Sequence, residues 1–398
     1  MLRFRTHLSS AIRAFTPLAA DSFLHRLLLY STTTKSPSFI ADDFLVTTCG
    51  LTPAQARKSS IYLAHLKSPS KPEAVLAFFA GIGLSKADVA AIIAKEPRLL
   101  RSSVSGTLAP SVDKLGDIGL SPPQISRLIT IVPAILLRPL AASRLTFYLS
   151  FLGSYEKVHT ALTRSPYFLS QDVERVVKPN IAFLKQCGLT DCDIGKLVWM
   201  APRLVVLQPE RVKEIVSCAD EIGVPRDSAM FKHALVSIFS IRPGKIPSRL
   251  DFLRKALGCS EAELRIAVRR LPNILNFSED RMSRLLDFLK MEVGLEPNYI
   301  LERPALLGYS VTKRLVPRFF VLRALKAKGL VKEDIDFYGV VIQNEKTFVK
   351  RFLDPYKECV PGLADAYAAA CAGQGRVNAY IHSLTWEDSR PAHPPNAM

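Results

Sequence analysis

Residues 188–202 read GLTDCDIGKLVWMAP, and their spacing decides the fold. Related stretches stand at residues 83–97 (GLSKADVAAIIAKEP), 119–133 (GLSPPQISRLITIVP) and 258–272 (GCSEAELRIAVRRLP), each with its proline 14 positions after its glycine. The glycines Gly83, Gly119, Gly153, Gly188, Gly223, Gly258, Gly294 and Gly329 follow one another at steps of 34 to 36 residues. A fixed period in this range marks a solenoid of small repeated units rather than a set of compact domains.

Punctuation within the unit predicts two helices. The glycine suits the left-handed residue that ends a helix. Two positions later stand Ser85, Ser121, Thr190 and Ser260, and three further on Asp88, Gln124, Asp193 and Glu263. That spacing is a capping box, in which hydroxyl and carboxyl cover orphan amides at a helix start. Pro97, Pro133, Pro166, Pro202, Pro272 and Pro304 then close the first helix. An apolar pair follows, such as Leu99–Leu100 or Leu306–Leu307, and then an amphipathic second helix runs to the next glycine. Thr52 and Gln55 repeat the cap behind Gly50, so the array begins near residue 49. The unit from Gly223 is degraded, with Ser237 where proline is expected, and residues 241–246 (IRPGKI) read as a kink. The unit after Gly294 is short, with Pro304 only 10 positions on. Trp199 reads as a core residue, and Phe348, Phe352 and Tyr356 as the last core layer.

The chain has 398 residues, 48% of them hydrophobic, which suffices for a continuous core. Residues 1–34 carry Arg3, Arg5, Arg13 and Arg26 against the single acid Asp21, the composition of an organellar transit peptide, with mitochondrion ahead of chloroplast. The expected organisation is a transit peptide at 1–34, a linker at 35–48, one repeat array at 49–372 and a disordered, proline-containing tail at 373–398. The seven cysteines are scattered without a CxxC pair and read as buried residues of a reducing compartment, with no metal or other cofactor expected. No apolar run reaches the length of a membrane span.

Net charge is +17, and residues 240–330 hold 18 basic against 9 acidic groups. Such an excess points to a polyanionic partner. There is no HExxH, GxxxxGK[ST] or GxSxG motif, and the seven histidines are isolated, so nothing supports an enzyme. What recurs with the repeat is a basic residue near the start of the second helix. Arg144, Arg249, Arg284 and Arg314 each precede a leucine; Arg175, Lys178, Arg211 and Lys213 occupy similar places, with Lys313 and Arg318 beside Arg314. Equivalent positions of a solenoid line one surface, so these ten residues are the expected phosphate contacts.

The proline, leucine-spaced helix, Gly-Leu-Ser/Thr joint and 35-residue step resemble the mitochondrial transcription termination factor (mTERF) family, over roughly residues 50–360 and in its plant organellar branch. The resemblance includes Glu345, Phe348, Arg351, Phe352 and Leu353 near the end of the array. It implies an all-α fold, a right-handed-type helical-repeat solenoid (superhelix) of about eight to nine units, each of ~35 residues arranged helix–helix–3₁₀. It also implies binding of organellar nucleic acid along a positive face. Pentatricopeptide units share the period, but their punctuation does not fit. The partner expected first is double-stranded DNA of the organelle, in transcription termination or regulation. Structured RNA, in intron splicing or ribosome maturation, is the alternative, and a protein-binding adaptor is the third. A monomer is expected, with no membrane contact.

Overall fold

A computed structural model describes residues 41–241 and 243–373. The transit peptide expected at 1–34 and nearly all of the tail expected at 373–398 lie outside them. Every regular element among the described residues is helical. Two compact units are present, one running up to Lys178 and the other beginning at Pro179.

Each repeat follows its punctuation. The eight glycines from Gly83 to Gly329 all have positive φ, between 65° and 93°. Behind them, Ser85, Ser121 and Ser260 make full capping boxes with Asp88, Gln124 and Glu263. The first helices Lys86–Lys95, Pro122–Ile131, Tyr155–Arg164, Asp191–Met200 and Glu261–Arg270 are ten residues each. Each ends on one extended residue before its proline, with φ between −126° and −149°. The proline ring clashes with a helical conformation at that residue, so the helix stops there. The proline opens a 3₁₀ turn, as in Pro97–Arg101, Pro133–Leu137 and Pro272–Asn276. Its apolar pair lies deep in the core: Leu99, Leu100, Ile274, Leu275, Leu306 and Leu307 are at most 1% exposed.

The second helices hold a feature that the apolar period does not announce. Three of them open with a wide π turn, at Val104–Leu108, Val173–Val177 and Val311–Leu315. In each, a capping residue (Ser103, Asp172 or Ser310) precedes the turn and a proline (Pro110, Pro179 or Pro317) stands seven positions after the cap. A proline there has no N–H to give the preceding turn, and the backbone widens by one residue around the missing bond. Leu108, Val177 and Leu315 accordingly donate to the carbonyls of Ser103, Asp172 and Ser310, five residues back.

Four expectations need correction. The unit after Gly223 is not broken at Ser237. A turn delays its first helix to Phe231–Ile241, and the proline-led 3₁₀ turn follows at Pro243–Lys245, six positions later than expected. Ser237 is buried within that helix and its hydroxyl donates to the His233 carbonyl at 2.9 Å. Trp199 is not a core residue, since 55% of it is exposed. Cys192 and Cys359 are exposed rather than buried. The last core layer holds Phe348 and Phe352, stacked at 5.4 Å, but Tyr356 is only half-buried. The short unit is as expected: its first helix, Pro297–Glu302, has six residues.

Candidate nucleic-acid interface

The cations expected to form one interface separate into three groups. The first is exposed. In the N-terminal unit Arg175 and Lys178 face solvent, with Lys178 joined to Glu174 at 2.6 Å. In the C-terminal unit Lys213, Arg284 and Lys313 face solvent; Arg284 pairs with Asp280 at 2.6 Å, and both of those side chains are more than 70% exposed. Such exposed i,i+4 pairs contribute little, so their cations remain available to a phosphate. Lys213 and Lys313 have no ion-pair partner among the described residues. Lys178, Lys213 and Arg284 each stand ten positions before the glycine of their repeat, so these three occupy equivalent places in it.

The second group is half-buried. Arg211 pairs with Glu214 on its own helix, and Arg249 lies 3.5 Å from Glu279 with its side chain 23% exposed.

The third group is turned inward and holds the repeats together. The Arg144 Nη1 donates to the carbonyls of Leu169 (3.0 Å) and Ser170 (2.7 Å), at the end of the next 3₁₀ turn. Arg314 donates to the carbonyls of Val341 and Gln343, at the end of the short α-helix Phe337–Val341. The interior of a short 3₁₀ turn leaves its last carbonyls unpaired, and a donor from the preceding repeat satisfies them. The donor need not be charged. Ser111 bonds the Leu136 carbonyl at 2.9 Å, and the Asn180 amide bonds those of Val205 (3.0 Å) and Leu207 (2.7 Å). Ser111, Arg144 and Asn180 all lie eight or nine positions before their glycine. A polar residue at one fixed place in an otherwise apolar stripe was the readable signal of this role. Arg318 is fully buried, so its expected part as a surface phosphate contact is corrected: desolvation and four internal partners hold it inside.

First-helix cations serve similarly between repeats. Lys95 donates to the Thr130 carbonyl at 2.7 Å and Arg270 to that of Glu302 at 2.7 Å. Arg265 reaches the Glu221 carbonyl at 3.0 Å, and Arg269 covers Gly223. Lys232 joins Asp193 at 3.0 Å. There Asp193 also takes the Thr190 hydroxyl, and these bonds, the hydroxyl first, hold its carboxyl down at about 2. Among the described residues no group of three His, Cys, Asp or Glu side chains could hold a metal ion. No helix among them is long and apolar enough to cross a membrane.

Helix pairs closed by proline-led 3₁₀ turns and repeated at a fixed period define a helical-repeat protein. The mTERF family model matches residues 29–143 and 71–349, and the chain belongs to that family. Among curated proteins it is similar to the mitochondrial transcription termination factor MTERF15 of Arabidopsis thaliana, 24% identical over 62% of this chain and 55% of the relative. It is also similar to the chloroplastic transcription termination factor MTERF8 of the same plant, 25% identical over 67% of this chain and 53% of the relative. The mitochondrial MTEF18 of that plant is 21% identical over 74% of this chain and 50% of the relative. The chain thus matches about half the length of each of these relatives.

Proposed function

We propose that this chain is an organellar regulator of gene expression that binds nucleic acid as a monomer, with double-stranded DNA as its first ligand and transcription termination or its regulation as its task. The observation that carries this reading is the exposed second-helix cations in register, Lys213 and Arg284 in the C-terminal unit and Lys178 in the N-terminal unit, with Arg175 and Lys313 within the wide turns. Such groups neutralise phosphates without reading bases, so they position the ligand rather than specify its sequence. Family membership supports the same reading, as do the names of three relatives as transcription termination factors. The basic, acid-poor segment 1–34 supports import into an organelle, and the mitochondrion is the one proposed, although the relatives divide between mitochondrion and chloroplast.

The test is a binding titration of duplex DNA and of structured RNA across a salt series, with wild type and a Lys213→Ala/Arg284→Ala/Lys313→Ala variant. Each lost phosphate contact lowers the salt slope by about one. Tighter binding of RNA moves the task to splicing or ribosome maturation. A variant that binds both ligands as wild type does, with the same slope, overturns the assignment of these cations.

A further inference from the structure

The first helix Asp191–Met200 carries a surface unlike that of its counterparts. Trp199 is 55% exposed at the end of this helix. Lys196, one turn earlier, and Arg203, in the turn after it, are both exposed and make no ion pair among the described residues. Gly195 stands four positions before Trp199, on the same side of the helix. A glycine inside a helix is destabilising relative to alanine, so it asks for a reason. Packing supplies none: a Cβ at Gly195 would meet nothing within 4 Å. At the same two places, seven and eleven positions after the glycine, other repeats have Ala90 and Ala94, Ser126 and Thr130, Thr160 and Arg164, or Arg265 and Arg269. Bare backbone beside an exposed indole therefore occurs in this repeat and in none of those four.

We propose that Gly195 and Trp199 form a shelf on which one unpaired nucleobase stacks, with Lys196 and Arg203 taking the phosphates on either side. The inference rests on the nucleic-acid reading above and deepens it. An indole face is large, flat and indifferent to base identity, and flanking cations follow the strand. A closed duplex offers no free base face, so the shelf selects single-stranded or locally opened nucleic acid. Because the glycine has no side chain, a planar ring can lie against the helix backbone and the indole together.

The test uses the full chain with Trp386→Phe, so that indole emission reports Trp199 alone, since the protein has two tryptophans. Oligo-uridylate, oligo-thymidylate and a closed DNA duplex of equal length are titrated in turn. Quenching by the single strands and not by the duplex is expected. Trp199→Ala weakens single-strand binding about 5- to 100-fold and leaves duplex binding within about twofold, while Trp199→Phe restores most of the loss. Gly195→Leu, which has open space to fold into, weakens single-strand binding without lowering the melting temperature. Preference between uridylate and thymidylate tells RNA from opened DNA, and either supports the shelf. The inference is overturned if Trp199→Ala binds single strands as wild type does, or loses single strand and duplex alike. Failure to bind any nucleic acid at low salt overturns the parent reading as well, whereas duplex binding with an indifferent Trp199 overturns only the shelf.

Discussion

Arg318 has no exposed surface, yet its guanidinium lies 2.9 Å from the Glu345 carboxylate, whose side chain is 61% exposed. The charge is buried at one end and paired at the boundary with solvent. Its Nη1 spends its protons on the carbonyls of Val340, Val341 and Gln343, at 3.1, 3.0 and 2.6 Å, and the cation lies 4.4 Å from the Phe348 ring centre. The Tyr367 hydroxyl, on the last described helix Leu363–Cys371, donates to the same carboxylate oxygen at 3.1 Å. Burial, with the Glu345 carboxylate next, pushes the Tyr367 hydroxyl pKa up. One arginine thus ties the end of the repeats to the helix that covers them.

Arg318→Ala takes the arginine from the Val340 carbonyl, leaves those of Val341 and Gln343 to Arg314 alone and empties a fully buried site, so it is expected to destabilise the C-terminal unit by about 3–5 kcal/mol, whereas Glu345→Gln costs about 1 kcal/mol because its solvent-facing end keeps water. Urea unfolding followed by far-UV circular dichroism compares the two. Equal effects would show that the carboxylate, and not the carbonyl contacts, carries the energy.

Asn180 is buried, and its amide holds two carbonyls of the next repeat. Asn180→Leu is expected to lower stability by about 1–3 kcal/mol through those unpaired carbonyls. Protection of the Leu204–Val206 turn in hydrogen exchange should fall with it; unchanged protection would count against the inter-repeat bond.

Two glycines of the opening stretch should respond in opposite directions to the same substitution. Gly188 has φ of 93°, so Gly188→Ala is expected to destabilise by about 1–2 kcal/mol. Gly195 is helical with open space around it, so Gly195→Ala is expected to stabilise by about 0.5–1 kcal/mol. Melting temperatures decide the signs.

Asp193 has its carboxyl lowered from 3.8 to about 2 by the Thr190 hydroxyl and Lys232. A depressed carboxyl contributes stability that is complete above its unfolded value near 4 and is lost as pH falls towards 2. The contribution is about 1–2 kcal/mol, and Asp193→Asn should flatten the acid limb of the stability profile by that amount. An unchanged profile between pH 4 and pH 2 would remove Asp193 from the account.

Lys313 and Arg314 are sequence neighbours with different tasks. Lys313→Ala is expected to lower the salt slope of nucleic-acid binding by about one at unchanged stability. Arg314→Ala is expected to lower stability by about 1 kcal/mol with the slope kept, because its protons go to the Val341 and Gln343 carbonyls, which keep Arg318 as a second donor. Reversed results would exchange their roles.

The period of the glycines, the capping boxes and the prolines were all legible in the amino-acid order, because each acts through backbone conformation within a few residues of itself. The delayed helix at Phe231–Ile241 was not, because a register counted from Gly223 cannot reveal how long the intervening turn runs. The wide turns were present in the spacing of Ser103 and Pro110, Asp172 and Pro179, and Ser310 and Pro317, but the apolar period hides them. Sequence by itself determined the repeat, its helical units and the family to which the chain belongs. Tertiary structure alone decided which basic residues face solvent. Arg144 and Arg284 look alike in sequence, each an arginine before a leucine on a second helix. One meets the unpaired carbonyls of a neighbouring 3₁₀ turn and is drawn in, while the other pairs with Asp280 on its own helix and stays exposed. That difference depends on partners some 25 residues away, where local spacing carries no information.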